Sequence, residues 1–217
     1  MKAILTEAEL ARIKEAVSVA ETRTSGEIVP YIVAQSDKHE VALWRGAGLF
    51  ALFAYAVILG IRWLPGWGGP QWVDGIVPVL LIAVMGGIGA VLTHLMPALK
   101  RCFAGRNRLV VTTHRRAVQA FLEKEVFLTR ERTGILLFVS LLEHRIEVIG
   151  DTGINAKVDA DDWVKVVATI QKNIKMGKLA DGLVEGITQC GELLEKAGVA
   201  IRSDDTNELA DDVSFGS

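Results

Sequence analysis

The stretch TRERTGILLFVSLLEHRIEVIGDTGI, Thr129 to Ile154, decides the fold. Two apolar runs predict two strands, Ile135 to Ser140 and Arg145 to Gly150. The turn between them, Leu141 to His144, is short enough for an antiparallel pair. Gly-Asp-Thr-Gly follows at 150–153. A lone hairpin cannot bury a core, so its partners must lie elsewhere in the chain.

Upstream, TEAE at Thr6 to Glu9 fits a capping box. Leu10, Ile13, Val17 and Ala20 follow at helical spacing and predict a helix from Glu7 to Glu21. EIVPYIVAQ then reads as a strand from Glu27 to Gln35. Residues 112–129 read as a second helix with Thr113 as its cap. Asp159 and Asp162 open a third, whose stripe is Trp163, Val166, Val167, Ile170 and Ile174. Gly177 stops it. A fourth helix spans 178–197, with Leu179, Leu183, Ile187, Cys190 and Leu194 on one face. The acidic stretch at 201–217 has the composition of a disordered tail.

Strand, helix, strand in this order predicts a βαβ unit with parallel strands and a right-handed crossover. The fold class is therefore α/β, a small mixed sheet sandwiched by helices. An internal echo supports it: TRTSGEIV at 22–29 and RERTGILL at 130–137 each place a hydroxyl and a glycine before an apolar strand. Parallel pairing brings these turns together. The antiparallel third strand returns Asp151 to the same edge, near Glu27, Arg130 and Arg132.

An uncharged run interrupts the crossover. GAGLFALFAYAVILGI, 46–61, and GIVPVLLIAVMGGIGAVLTHLM, 75–96, show no polar face at helical period. With their flanks they predict a transmembrane hairpin at 43–99, with spans at about 43–64 and 74–97. Trp63, Trp67 and Trp72 line the connecting turn as an aromatic belt. Gly86, Gly87 and Gly89 allow close helix approach, Pro78 starts or kinks the second span, and His94 is interfacial. Lys38, Arg45, Lys100, Arg101, Arg106 and Arg108 cluster at the outer ends, which predicts both termini in the cytoplasm. The two flanks, 1–40 and 103–200, then form one discontinuous domain.

Mean hydropathy is +0.32 and net charge −2, with a pI near 6.1. Neither this balance nor the basic cluster, which lacks interleaved aromatics, points to nucleic acid. Cys102 and Cys190 lack metal-type spacing and read as reduced structural thiols. The first residues show no secretory signal. No Walker A loop, GxSxG elbow or HExxH motif is found.

TSGEIV, then TGILLFVSLLEHRIEVIGDTGI, then WVKVV and GKLADGLVEGI, are similar to the TPM domain, over about Thr6 to Gly198. The likeness is to the bacterial membrane-protein branch, with two spans inside the domain. It implies an α/β/α sandwich in the bacterial inner membrane. Family members include weak acid phosphatases, binders of divalent cations through acidic loops, and assembly or accessory factors. The chain has GDTGI where many relatives have G-Y-G followed by Leu or Ile, which adds a carboxylate.

The expectation is a membrane-anchored, cytoplasm-facing accessory factor that binds another membrane protein or a second copy of itself. The alternative is a weak metal-assisted phosphatase. Asp151 and Arg132 are its candidate catalytic residues, Arg132 as a two-point phosphate grip. Asp151, Asp159 and Glu27 are the candidate oxygen ligands for calcium or magnesium. Plainer roles compete at each position: a turn for Asp151, a helix start for Asp159, and charge balance for Arg132.

Overall fold

The computed structural model describes residues 5–63, 75–201 and 207–216. In chain order the elements are α1 (Glu7–Glu21), β1 (Glu27–Val33), α2 (Glu40–Trp63), α3 (Ile76–Leu95), α4 (Pro97–Ala104) and α5 (Arg106–Glu123). There follow β2 (Gly134–Ser140), β3 (Arg145–Gly150), α6 (Thr152–Asn155), α7 (Ala160–Lys175), α8 (Leu179–Lys196) and β4 (Ser214–Gly216). The chain divides into two compact units, Met1–Asp37 with Val110–Ser217, and Lys38–Leu109.

The first unit is built on a four-stranded sheet of order β3-β2-β1-β4. β1 and β2 run parallel, with Glu27 opposite Gly134 and Val33 opposite Ser140. β3 is antiparallel to β2, and β4 is parallel to β1. Every residue of β1 and β2 is buried. That is the pattern of strands covered on both faces, and it explains why both read as unbroken apolar runs. Alternate side chains go to opposite faces. Ile28, Ile32, Ile135, Leu137 and Val139 pack with Ile13 and Val17 of α1, Ile170 of α7, and Leu183 and Ile187 of α8. Val29, Tyr31, Val33, Leu136 and Phe138 pack with Ala117 and Ala120 of α5 and with Val126. The result is the three-layer α/β arrangement that the pattern implies.

The local signals behind α1 act as read. Thr6 Oγ1 accepts from the Glu9 N–H at 3.3 Å, and the Glu9 carboxylate accepts from the Thr6 N–H at 2.7 Å. α7 ends before Gly177, which has φ +75. Two expectations are corrected. α5 starts at Arg106, so Thr113 is a buried residue inside a helix and not its cap. Nor is the segment at 201–217 a disordered tail throughout: residues 214–216 are a strand hydrogen-bonded to β1. Acidic composition concealed it, because a three-residue strand carries no periodicity and its order comes from docking.

In the second unit, α2 and α3 are long and apolar enough to cross a membrane. The residues at 64–74, with the expected belt positions Trp67 and Trp72, lie outside the described residues. Small residues line the seam between α2 and α3. A Cβ on Gly46 would sit 2.1 Å from Thr93 Oγ1, and one on Gly89 would sit 2.7 Å from Gly46 O. Gly86 faces Ala47 and Ala51, whereas nothing lies within 4 Å of a Cβ on Gly87. Pro78 is in the first turn of α3, where its missing N–H costs nothing. Arg45 donates to the carbonyls of Phe103 and Ala104 at 2.8 and 3.2 Å, closing the end of α4.

Candidate functional site

The parallel register brings the two hydroxyl turns together at the start of β1 and β2. Thr133 Oγ1 donates to Ser25 O at 2.8 Å, and the Glu27 N–H donates to Thr133 O at 3.2 Å. The Asp151 N–H donates to Gly134 O at 2.9 Å, which returns the end of β3 to this edge.

Asp151 is buried and meets Arg132 in a two-point pair, Nε to Oδ2 at 2.6 Å and Nη2 to Oδ1 at 3.0 Å. Its Oδ1 also accepts from the Thr152 N–H at 2.7 Å, at the N-cap of α6. Both oxygens are thus engaged within the fold. Arg132 has φ +58, the left-handed region that a long side chain adopts rarely. Its carbonyl accepts from the Gly153 N–H at 2.9 Å. A Cβ on Gly153 would lie 2.3 Å from Glu131 O, so the second glycine of GDTG is needed for close backbone approach.

The other sequence candidates have separate surroundings. Glu27 lies one strand beyond β2 from Asp151, about 10 Å away at two strand spacings. Its oxygens accept from the N–H groups of Glu208 and Leu209 at 3.2 Å each. Asp159 is exposed at the N-cap of α7, with no side-chain capping bond. Arg130 donates its backbone N–H to the Glu208 carboxylate at 2.8 Å. Among the described residues, no three His, Cys, Asp or Glu side chains are grouped to hold a metal ion. The set Glu27, Asp151 and Asp159 therefore does not fit calcium or magnesium as a shared donor shell.

Sequence reasoning missed Glu21. It ends α1, accepts from the Ile28 N–H at 2.9 Å, and lines a cavity of about 210 Å³ with Glu27, Ser18, Thr22, Thr24, Ile201 and Asn207. Burial pushes its carboxyl up to about 8; the charges of Glu27 and Asp211 add to this, and the Ile28 N–H opposes it. One signal existed in the sequence: an acidic residue closing a helix, where the macrodipole favours a cation. At the opposite end of the parallel pair, Ser36 Oγ donates to Ser140 Oγ at 2.8 Å and Ser140 donates to Glu143. Glu143 also accepts the Ser36 N–H at 2.9 Å, tying the β2–β3 turn to the chain after β1.

Residues 106–193 match the TPM domain. The matched TPM stretch runs from α5 into α8 and contains Arg132, Asp151 and Asp159. Glu21, Glu27 and the residues at 207–216 lie outside it. The NMR structure of BA42 protein from the psychrophilic bacterium Bizionia argentinensis is similar, with a TM-score of 0.59 and 22% identity. That match covers 98% of this chain and 95% of BA42, and at this identity it speaks for the fold alone. No curated protein matches the chain.

Proposed function

We propose that the chain is a membrane-anchored TPM-domain protein whose α/β/α unit works in the bacterial cytoplasm as an accessory or assembly factor, binding another membrane protein. The observation that carries this reading is the inside-out pattern of α2 and α3. Trp44, Leu52, Phe53, Val79, Leu80 and Leu95 are exposed, while the seam holds Gly46, Gly89 and Thr93. Only 17% and 11% of the apolar stretches of α2 and α3 are buried, which is unlike a soluble core helix. Lipid is the solvent that suits such a surface, and small residues are how helices pack within it. The basic residues at the outer ends support the cytoplasmic orientation.

Binding needs no assembled nucleophile. The Arg132–Asp151 pair is satisfied internally and, in this reading, shapes the edge of the unit. The test is carbonate extraction followed by thiol labelling. Cys102 is exposed and Cys190 fully buried, so Cys102 is the useful reporter. The protein should stay in the membrane pellet, and Cys102 should resist an impermeant reagent until cells are opened. Labelling in intact cells would overturn the orientation, and extraction by carbonate would overturn the anchor.

A weak phosphatase is the competing reading, favoured by the two carboxylates in the Glu21–Glu27 cavity. A carboxyl raised by burial, as Glu21 is, beside a second carboxylate is a recurrent acid–base device. Turnover of a phosphate ester with added magnesium or calcium, compared with Glu27→Gln and Asp151→Ala, decides it. Equal background turnover in all three sinks hydrolysis.

A further inference from the structure

Residues 207–216 lie against β1 in an unusual way. They are held at two points. At one, the Glu27 carboxylate accepts from the N–H groups of Glu208 and Leu209 at 3.2 Å each. At the other, Ser214, Phe215 and Gly216 pair with Tyr31, Ile32 and Val33 in parallel register. Both contacts are to the main chain, which any extended segment can offer. Between them lies the exposed Lys14–Asp212 ion pair at 3.0 Å, a kind that adds little.

Side chains supply the discrimination. Leu209 packs on the face of Tyr31 and Phe138, while Val213 and Phe215 pack on the opposite core. Gly216 lies against the Tyr31 ring: a Cβ there would be 2.5 Å from the phenol oxygen. Arg116 donates to that oxygen at 2.7 Å and Tyr31 stacks on Phe138, so the ring cannot step aside freely. The pattern read by this edge is apolar, three residues, apolar, one residue, aromatic, glycine.

We infer that the edge of β1 is a docking groove for an extended polypeptide segment of this pattern, and that residues 207–216 are its exchangeable occupant within the chain. The partner adds a parallel strand beside Tyr31–Val33, anchored by Glu27 at its first residues. This is strand addition, in which main-chain bonds supply affinity and side-chain positions supply specificity. It rests on the accessory-factor reading and names the surface that reading requires. A three-residue strand is short for a sheet edge, so its release leaves the β1–β2–β3 core and both apolar clusters in place.

The test uses the full chain in detergent, with a fluorescent peptide of residues 207–217 as probe. Gly216→Val and Phe215→Ser, each placed in the protein, weaken the resident segment. Both variants should bind the peptide at least tenfold more tightly than the unaltered protein, whose own segment competes. The same peptide carrying Phe215→Ser should lose most of that binding. Amide exchange supplies the fold control: residues 214–216 should exchange at least a hundredfold faster than Leu136 to Val139 in the unaltered protein. Equal protection of the two strands overturns the proposal, as does failure of both variants to bind peptide while β2 stays protected. Neither outcome touches the membrane anchor, which carbonate extraction reads separately.

Discussion

Replacing Glu21 by Gln should make the α/β/α unit more stable at neutral and alkaline pH and remove part of its pH dependence. Glu21 has an ordinary value of 4.5 and is raised to about 8, chiefly by burial. A carboxyl raised in the fold holds its proton more tightly there than in the unfolded chain. Its contribution is fully present below about 4.5 and is lost as pH rises towards 8; above that it is flat. A displacement of this size corresponds to about 5 kcal/mol if wholly expressed. Glu21 is half-buried, so solvent screening reduces the expressed part to about 1–2 kcal/mol. Gln keeps an acceptor for the Ile28 N–H and cannot ionise. The two proteins should therefore be nearly equal at pH 5, and the variant should lead by about 1–2 kcal/mol at pH 8.5. Opening free energies of the β2 amides, from hydrogen exchange corrected for intrinsic rates, measure this in the full chain. Other titrating groups cancel in the difference. Parallel pH curves for the two proteins would refute the assignment of a buried, protonated Glu21.

Gly153→Ala should destabilise the unit by about 2–4 kcal/mol, seen as a lower urea midpoint, because its Cβ would meet Glu131 O at 2.3 Å. Asp151→Ala should cost at least the ~1 kcal/mol of a lost N-cap and raise proteolytic nicking near Arg132, whose left-handed backbone loses its two-point partner. A Cβ on Gly86 would lie 3.6 Å from the Ala51 Cβ, within the range that disulfides bridge. Ala51→Cys with Gly86→Cys, in a Cys102→Ser background, should close on oxidation within one chain, and Gly89→Leu should prevent it. Cys190, fully buried with its thiol pushed up to about 12, should stay unlabelled in folded protein while Cys102 reacts.

The parts legible in the sequence were those fixed by local chemistry or by period. The capping box at Thr6 set the start of α1, and the hydroxyl-glycine echo before Ile28 and Ile135 foretold the parallel register. The Arg132–Asp151 meeting followed from hairpin geometry. What escaped was set by long-range docking. SFG at 214–216 has no strand signature of its own, and becomes one because β1 presents an open ladder beside Tyr31. Glu27 reads as a candidate ligand because parallel pairing brings it to the edge that Asp151 reaches. Its true partners are the N–H groups at 208 and 209, some 180 residues away. Glu21 is the last residue of a predicted helix, and only packing of the adjoining segments desolvates it. The start of α5 was misplaced because the basic residues before Thr112 read as a flank, while their backbone is helical from Arg106.

The register of β1 against β2 also has a consequence in time. Glu27 pairs with Gly134, so the chain between them must be synthesised before the sheet can close. At the usual pace of a ribosome, roughly 5–20 residues per second, β1 waits on the order of 5–20 s for its partner. Both of its edges are bare during that interval, and seven consecutive buried-type residues have nothing to cover them. The two apolar helices emerge within the same window. In the proposed membrane-anchored reading, their capture by the insertion machinery falls before closure of the sheet, and a stalled hairpin strands β1 as a nascent, aggregation-prone end. On that reading, folding of the α/β/α unit is timed by delivery of the proposed anchor.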